Sequence, residues 1–225
     1  MNYGIIVAAG KSERMGQDVD KAFLYLGNKP LVLYSIEAFE KCPDIDSVVL
    51  VTRKERVEVA RNLMQIFAYS KVKKVVAGGT TRQASVMNGL SAIEGAEVKI
   101  VCVHDGARPC VTSNLISETI KSAKKYGSGV AAVKVTDTIK RVDKGMVVSG
   151  TVDRTKLWAT QTPQAFKYEL LKKAMETVIK KKVIVTDEAS ALELAGIEVR
   201  LVPSTPANIK VTTIEDFQLV GKLLR

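Results

Sequence analysis

Short apolar runs alternate with stretches of helical periodicity from the first residues onward. "YGIIVA" (Tyr3–Ala8), "SVVLVT" (Ser47–Thr52), "VKKVVA" (Val72–Ala77) and "VKIVCVH" (Val98–His104) read as buried strands. Between them, "PLVLYSIEAFEKC", "RKERVEVARNLMQIF" and "TTRQASVMNGLSAI" space their apolar residues as one face of a helix does. Strand then helix, repeated, predicts an α/β chain. The expected architecture is a Rossmann-like three-layer fold, with a mostly parallel twisted sheet, right-handed crossovers and helices on both faces. Ligands of such sheets bind beyond the carboxyl ends of the strands. The polar loops obey that rule, following the first strand (Ala9–Lys21), the third (Gly78–Thr81) and the fourth (Asp105–Pro109).

One segment breaks the rhythm. "TDTIKRVDKGMVVSGTVDRTKLW" (Thr136–Trp158) has two β-rich arms around Asp143-Lys144-Gly145, with glycine for a left-handed turn position. A two-stranded ribbon is marginal alone in water, so it must pack against its own domain or a second subunit. The expectation is a protruding arm, residues 136–158, used in a homodimer. "VRLVPST" and "ANIKV" follow later, and Thr212-Thr213-Ile214-Glu215 gives a capping-box pattern for a last helix. No repeat, low-complexity tract or linker interrupts the chain, so 1–225 reads as a single domain.

Length and composition narrow the class. The 225 residues are 46% hydrophobic and 26% charged, ordinary values for a globular protein with a substantial core. No run approaches the roughly 20 apolar residues of a membrane span, and the N-terminus has no secretory signal pattern. Cys42, Cys102 and Cys110 are odd in number without CxxC spacing, which argues against a disulfide framework or a zinc site. A cytoplasmic protein is expected. The formal charge of +10 raises nucleic acid as a partner, but the lysines fall in runs such as "KSAKK" and "LLKKAMETVIKKK", spaced like solvated helix faces. Aromatic content of 5% leaves little for base stacking, so no nucleic-acid partner is expected.

Candidate chemistry collects in the loops. "GIIVAAGKSERMG" (Gly4–Gly16) contains Gly-Lys-Ser, yet a P-loop needs glycine at the position of Ile5, and Gly4 is out of register by one. Its small residues Ala8, Ala9 and Gly10 still let a ligand reach backbone N–H groups, and Lys11, Arg14 and Lys21 add charge nearby. In "GGTTRQAS" (Gly78–Ser85) the bare backbone of Gly78 and Gly79 suits a base or sugar. Thr80 and Gln83 also spell a capping box there, with Ser85 one turn inside the helix. "VHDGARP" (Val103–Pro109) ends a strand with Asp105, able to hold Mg²⁺, and Arg108, able to pair with phosphate or with Asp105 itself. His104, the only histidine, reads as an oriented structural residue. Asp187 and Glu188 suit the first turn of a helix.

In order, "AAGKSERMG", Lys21, "GGTTRQASV", "VHDGARP", "DTIKR", "TVDRTKLW", "QTPQAF", "TDEASALE" and "NIKVT" resemble the 2-C-methyl-D-erythritol 4-phosphate cytidylyltransferase family of Rossmann-like nucleotidyltransferases. The resemblance implies that CTP and the sugar-alcohol phosphate give the CDP-linked alcohol and pyrophosphate, with Mg²⁺, in isoprenoid precursor synthesis. It implies catalytic roles for Arg14 and Lys21, cations at the triphosphate and the transition state, and for Lys210, beside the metal or the sugar phosphate. Ala8, Ala9, Gly10, Lys11, Gly78, Gly79 and Ser85 would hold the nucleotide. Asp105, Arg108, Thr138, Arg154 and Thr186 would surround metal or sugar phosphate, with Asp105 on the metal. The implied homodimer makes Thr138 and Arg154 of the arm candidates to act on the neighbouring subunit's site. Asp20 stands where the family usually has proline, and Gly106 where it usually has alanine. Ribitol-5-phosphate cytidylyltransferase, or a related sugar-phosphate nucleotidyltransferase, is the neighbouring alternative. A CTP-binding regulator without turnover is a reading from another class.

Overall fold

The computed structural model describes residues 1–10, 20–94 and 97–224. The first half of the chain follows the predicted alternation. Strand β1 (Asn2–Ala8) leads past a small hairpin, β2 (Tyr25–Leu26) and β3 (Lys29–Pro30), to helix α1 (Leu31–Lys41). Then come β4 (Ser47–Thr52), α2 (Val57–Ile66), β5 (Val72–Ala77), α3 (Arg82–Ser91) and β6 (Ile100–Asp105). The second half contains α4 (Ser113–Tyr126), β7 (Ser128–Lys134), the paired β8 (Ile139–Val142) and β9 (Val148–Val152), and β10 (Trp158–Lys167). It closes with α5 (Tyr168–Lys181), α6 (Glu188–Leu194), β11 (Leu201–Pro203) and α7 (Ile214–Leu223).

Seven strands form one sheet in the order β11-β7-β10-β6-β1-β4-β5. Strand β1 runs parallel to both β4 and β6, whereas β10 is antiparallel to both β6 and β7. The two-residue period of the strands separates the core into two layers. Ile6, Val48 and Leu50 pack with α1, α2 and α4 on one face. Ile5, Val7, Val49 and Val51 face α3, α5 and α6 on the other. Parallel strands covered on both faces need apolar residues throughout, which is why they read as unbroken runs.

The hairpin arm forms with β8 and β9 as a separate two-stranded sheet, and Gly145 at its tip has φ 79°, as its turn requires. Two helix starts are one residue later than the sequence pattern placed them. The N-cap of α3 is Thr81, whose hydroxyl accepts from Ala84 N–H, and not Thr80. Gln83 instead accepts from Val185 N–H and ties the 185–187 loop to α3. The box at α7 pairs Thr213 with Asp216, because Asp216 also collects Thr212 N–H and hydroxyl at 2.8 and 2.7 Å.

Just before β2, a single 3-10 turn spans Lys21–Phe23. Asp20 precedes it with a side chain only 2% exposed, and neither carboxylate oxygen makes a hydrogen bond among the described residues. Burial raises its carboxyl above the ordinary value, with the charges of Arg53 and Arg56 opposing. Arg56 Nε lies 3.4 Å from Oδ2, and the same guanidinium stacks 5.7 Å from the Phe23 ring centroid. The Lys21 turn is therefore fastened from outside to the connection that follows β4. Arg56→Met is expected to cost about 1–3 kcal/mol in urea unfolding, because it strands a buried carboxylate. Adding Asp20→Asn should recover most of that loss. A double variant less stable than Arg56→Met would show that the pair is not what holds the turn.

Candidate active site

Asp105 is the last residue of β6, beside the end of β1, so its carboxylate emerges at the carboxyl edge of the sheet. The turn after it is fixed by backbone bonds, Gly106 N–H to Val7 C=O and Arg108 N–H to Asp105 C=O, both 2.9 Å. A buried chain supports it from below. Asp105 N–H donates to Thr162 Oγ1 (3.0 Å), which lies 3.1 Å from His104 Nδ1, and His104 Nε2 lies 3.2 Å from Arg108 C=O. Only a neutral ring with its proton on Nε2 satisfies every partner. Burial pushes the imidazole down to about 4, with Asp105 opposing, so the ring is neutral at physiological pH. His104 is structural.

Four charged side chains converge above this floor. Arg82, the first residue of α3, donates through Nε to Asp105 Oδ1 at 3.0 Å. Its other two nitrogens grip both oxygens of Glu188, at 2.7 and 3.0 Å. Lys210 Nζ lies 2.7 Å from Asp105 Oδ2. Burial alone would raise the Asp105 carboxyl, but Arg82 and Lys210 outweigh it and hold the group well below the usual carboxylate range. Burial raises Glu188 above its ordinary value, with Arg82 opposing. Lys210 is carried by a loop that Asn208 anchors, since Asn208 Nδ2 donates to Gln161 Oε1 and Thr162 C=O, both 2.9 Å. Arg108 Nη1 donates to Asn208 C=O at 2.7 Å, so the mutual Asp105–Arg108 salt bridge considered from sequence is replaced by this contact. Arg108 Nε is buried without a hydrogen-bond partner among the described residues.

Arg82, Asp105, Arg108 and Lys210 line a cavity of about 150 Å³ with Thr160, Gln161, Thr162, Gln164, Thr186 and Asp187. The β10 residues enter where that strand slips register, between Thr160 and Gln164. Asp187 caps α6, accepting from Ser190 N–H and hydroxyl through Oδ1 and from Gln164 and Thr160 through Oδ2. Both its oxygens are taken up by the helix cap and β10, whereas Asp105 Oδ2 is held by a single lysine ammonium. Among the described residues no group of three or more His, Cys, Asp or Glu gathers around a point. Mg²⁺ takes few protein carboxylates and fills its shell with phosphate oxygens and water, so Asp105 with a phosphorylated ligand fits it.

The sequence-predicted residues divide into groups. Asp105, Arg108, Thr186 and Lys210 meet in the cavity. Ala8, Ala9 and Gly10 lie at the end of β1, next to the Gly78 turn. A Cβ on Gly78 would overlap Ala9 Cβ and stand 2.7 Å from Ser85 Oγ. Ser85 accepts from Gly79 N–H (3.1 Å) and donates to Thr81 C=O (2.9 Å), so it fixes the glycine turn. Thr138 and Arg154 stay with the arm, 3.4 Å from each other and outside the cavity lining. Lys21 sits on its anchored 3-10 turn. Lys11 and Arg14 lie outside the described residues.

Sequence reasoning passed over Arg82, Glu188 and Gln164. A signal for Arg82 existed, since a cation in the first turn of a helix opposes the dipole and needs an acidic partner. Glu188 gave none, because an acid in a first turn explains itself.

A glycine turn, several cations and the Asp105 carboxylate gather at the carboxyl edge of a mixed α/β sheet, and family membership makes this a nucleotidyltransferase. The family model of 2-C-methyl-D-erythritol 4-phosphate cytidylyltransferase (IspD) matches residues 3–225. The chain belongs to that family. A protein of this name from Clostridium tetani is 43% identical over 215 residues, covering 96% of this chain and 87% of its own. One from Caldanaerobacter subterraneus is 40% identical over 222 residues, covering 98% and 97%. The crystal structure of 4-diphosphocytidyl-2C-methyl-D-erythritol synthase from Anaerococcus prevotii aligns with a TM-score of 0.86 at 29% identity, covering 99% of this chain and 97% of that one.

Arg82→Lys should lower turnover at least tenfold, because an ammonium cannot bridge two carboxylates as a planar guanidinium does. Glu188→Gln should lower it about tenfold, the scale of one lost charge-assisted hydrogen bond. Both belong in steady-state assays beside circular dichroism. Unchanged kcat in a folded Arg82→Lys variant would contradict the bridging role.

Proposed function

We propose that the protein transfers CMP from CTP to 2-C-methyl-D-erythritol 4-phosphate, releasing pyrophosphate, in the non-mevalonate isoprenoid pathway. The observation that carries this reading is the Asp105 carboxylate held by Arg82 and Lys210 in a cavity with Arg108. Family membership supplies the co-substrates. A phosphate monoester has a second pKa near 6 and is mostly dianionic at neutral pH, so the nucleophile needs no general base. A buried, neutral His104 is consistent with that. The reaction forms a bond from a sugar-phosphate oxygen to the α-phosphorus of CTP and breaks the bond from that phosphorus to the bridging oxygen of pyrophosphate. What it needs is in-line alignment and cancellation of negative charge.

The residues divide that work. Lys11, Arg14 and Lys21 neutralise the triphosphate, while backbone at Ala8–Gly10 and Gly78–Gly79, the latter pinned by Ser85, holds the nucleoside. Arg108, Thr186 and Lys210 orient the sugar phosphate. Asp105 would hold Mg²⁺, which adds positive charge shared between phosphate oxygens. Residues 1–225 act as one nucleotidyltransferase domain, with 136–158 as its dimerisation arm. Val142, Met146, Val147 and Val148 of that arm are 46–81% exposed, an apolar tip that a second subunit would cover and that would carry Thr138 and Arg154 to the neighbouring site. Among the described residues no helix is long and apolar enough to cross a membrane, and we place the enzyme in the cytoplasm.

Pyrophosphate release with CTP and Mg²⁺ tests the assignment. Methylerythritol phosphate should support turnover and ribitol 5-phosphate should not; preference for ribitol phosphate would overturn it. Arg14→Ala and Lys21→Ala should each lower kcat about 10²–10³-fold, as deleting one electrostatic donor does elsewhere. Near-normal kcat in both folded variants would remove those two residues from the mechanism.

A further inference from the structure

The two cations on Asp105 are not equivalent. Arg82 holds Oδ1, and its remaining nitrogens are locked by Glu188, whose side chain is 2% exposed. Arg82 cannot leave Asp105 without dragging on a second, fully buried carboxylate. Lys210 holds Oδ2 through a single ion pair from a side chain 37% exposed, and Asp105 is its one ion-pair partner among the described residues. An ammonium on a four-carbon stem reorients readily, whereas a bidentate guanidinium does not.

We propose that Lys210 is an exchangeable occupant of the metal-binding oxygen of Asp105. In the free protein its ammonium holds Oδ2. A divalent cation takes that oxygen, and the displaced ammonium is released toward the incoming phosphate. Arg82 keeps Oδ1 throughout and fixes the carboxylate plane. The proposal rests on the metal reading of Asp105 given above.

Charge balance in the cavity supports the exchange. Arg82, Arg108 and Lys210 line the cavity against Asp105 and Asp187, and Glu188, outside the lining, offsets Arg82 from behind. Exchange then leaves a mobile ammonium unpaired when phosphate arrives. A lysine bonded permanently to Asp105 would have its charge cancelled at the moment the reaction needs it. Competition also predicts a direction that simple loss of a binding residue does not. If the ammonium occupies Oδ2 about nine-tenths of the time, apparent metal affinity is reduced about tenfold.

Mn²⁺ alone, titrated into the full chain and followed by water-proton relaxation, tests this without turnover. Lys210→Met should tighten Mn²⁺ binding about tenfold while lowering kcat, and Lys210→Arg, which keeps the charge, should bind Mn²⁺ less tightly than Lys210→Met. Lys172→Met, which removes the same charge from an exposed position on α5, should leave binding unchanged. Mn²⁺ binding by Lys210→Met no tighter than by the parent, or equal tightening in Lys172→Met, overturns the exchange. Asp105→Asn should weaken Mn²⁺ binding. If it binds as the parent does, the metal reading itself falls, which is a separate failure.

Discussion

A carboxylate shared between two cations at the rim of the sheet organises this protein. Asp105 would be an expensive residue to bury alone, because desolvation disfavours its charge. Arg82 and Lys210 reverse the balance, and each arrives from a different part of the chain. The start of α3, the start of α6 and the loop before α7 must all be correctly placed for one carboxylate to be satisfied. Electrostatics thus couples segments more than a hundred residues apart.

The support beneath is as specific as the charges above. Thr162 and His104 bond backbone groups of the loop that carries Asp105 and Arg108, and Asn208 ties the Lys210 loop to Thr162 C=O of β10. Buried polar groups of this kind are worth little net energy but are costly to leave unpaired, so they select one arrangement over its neighbours. A neutral histidine suits that task, since it supplies one donor and one acceptor. The same burial makes it a poor proton carrier.

Much of the architecture was legible because parallel strands buried on both faces must be apolar throughout. β1 and β4 stand out for that reason, whereas β5, at the sheet edge, carries two lysines and buries only Val75. β10 was harder to see: "WATQTPQAFK" mixes polar and apolar residues without strict alternation, because its slipped register serves the cavity. Asp105, Arg108, Thr186 and Lys210 were legible through their motifs. Arg82 and Glu188 were not, because each is plausible as an ordinary first-turn residue and their pairing depends on tertiary distance. The helix caps moved by one residue where neighbouring threonines compete and side-chain geometry decides.

The position of β10 governs how the molecule comes together. It is the antiparallel strand wedged between β6 and β7, near the middle of the sheet, yet it is encoded after residue 157. During synthesis β1, β4, β5 and β6 are complete long before it, and the open side of β6 waits for a partner made some fifty residues later. Such distant pairing slows folding and leaves an unsatisfied edge exposed to neighbouring chains in the interval. The cavity takes Thr162 and Gln164 from β10, so an N-terminal fragment ending before this strand lacks part of its wall however well its half-sheet forms.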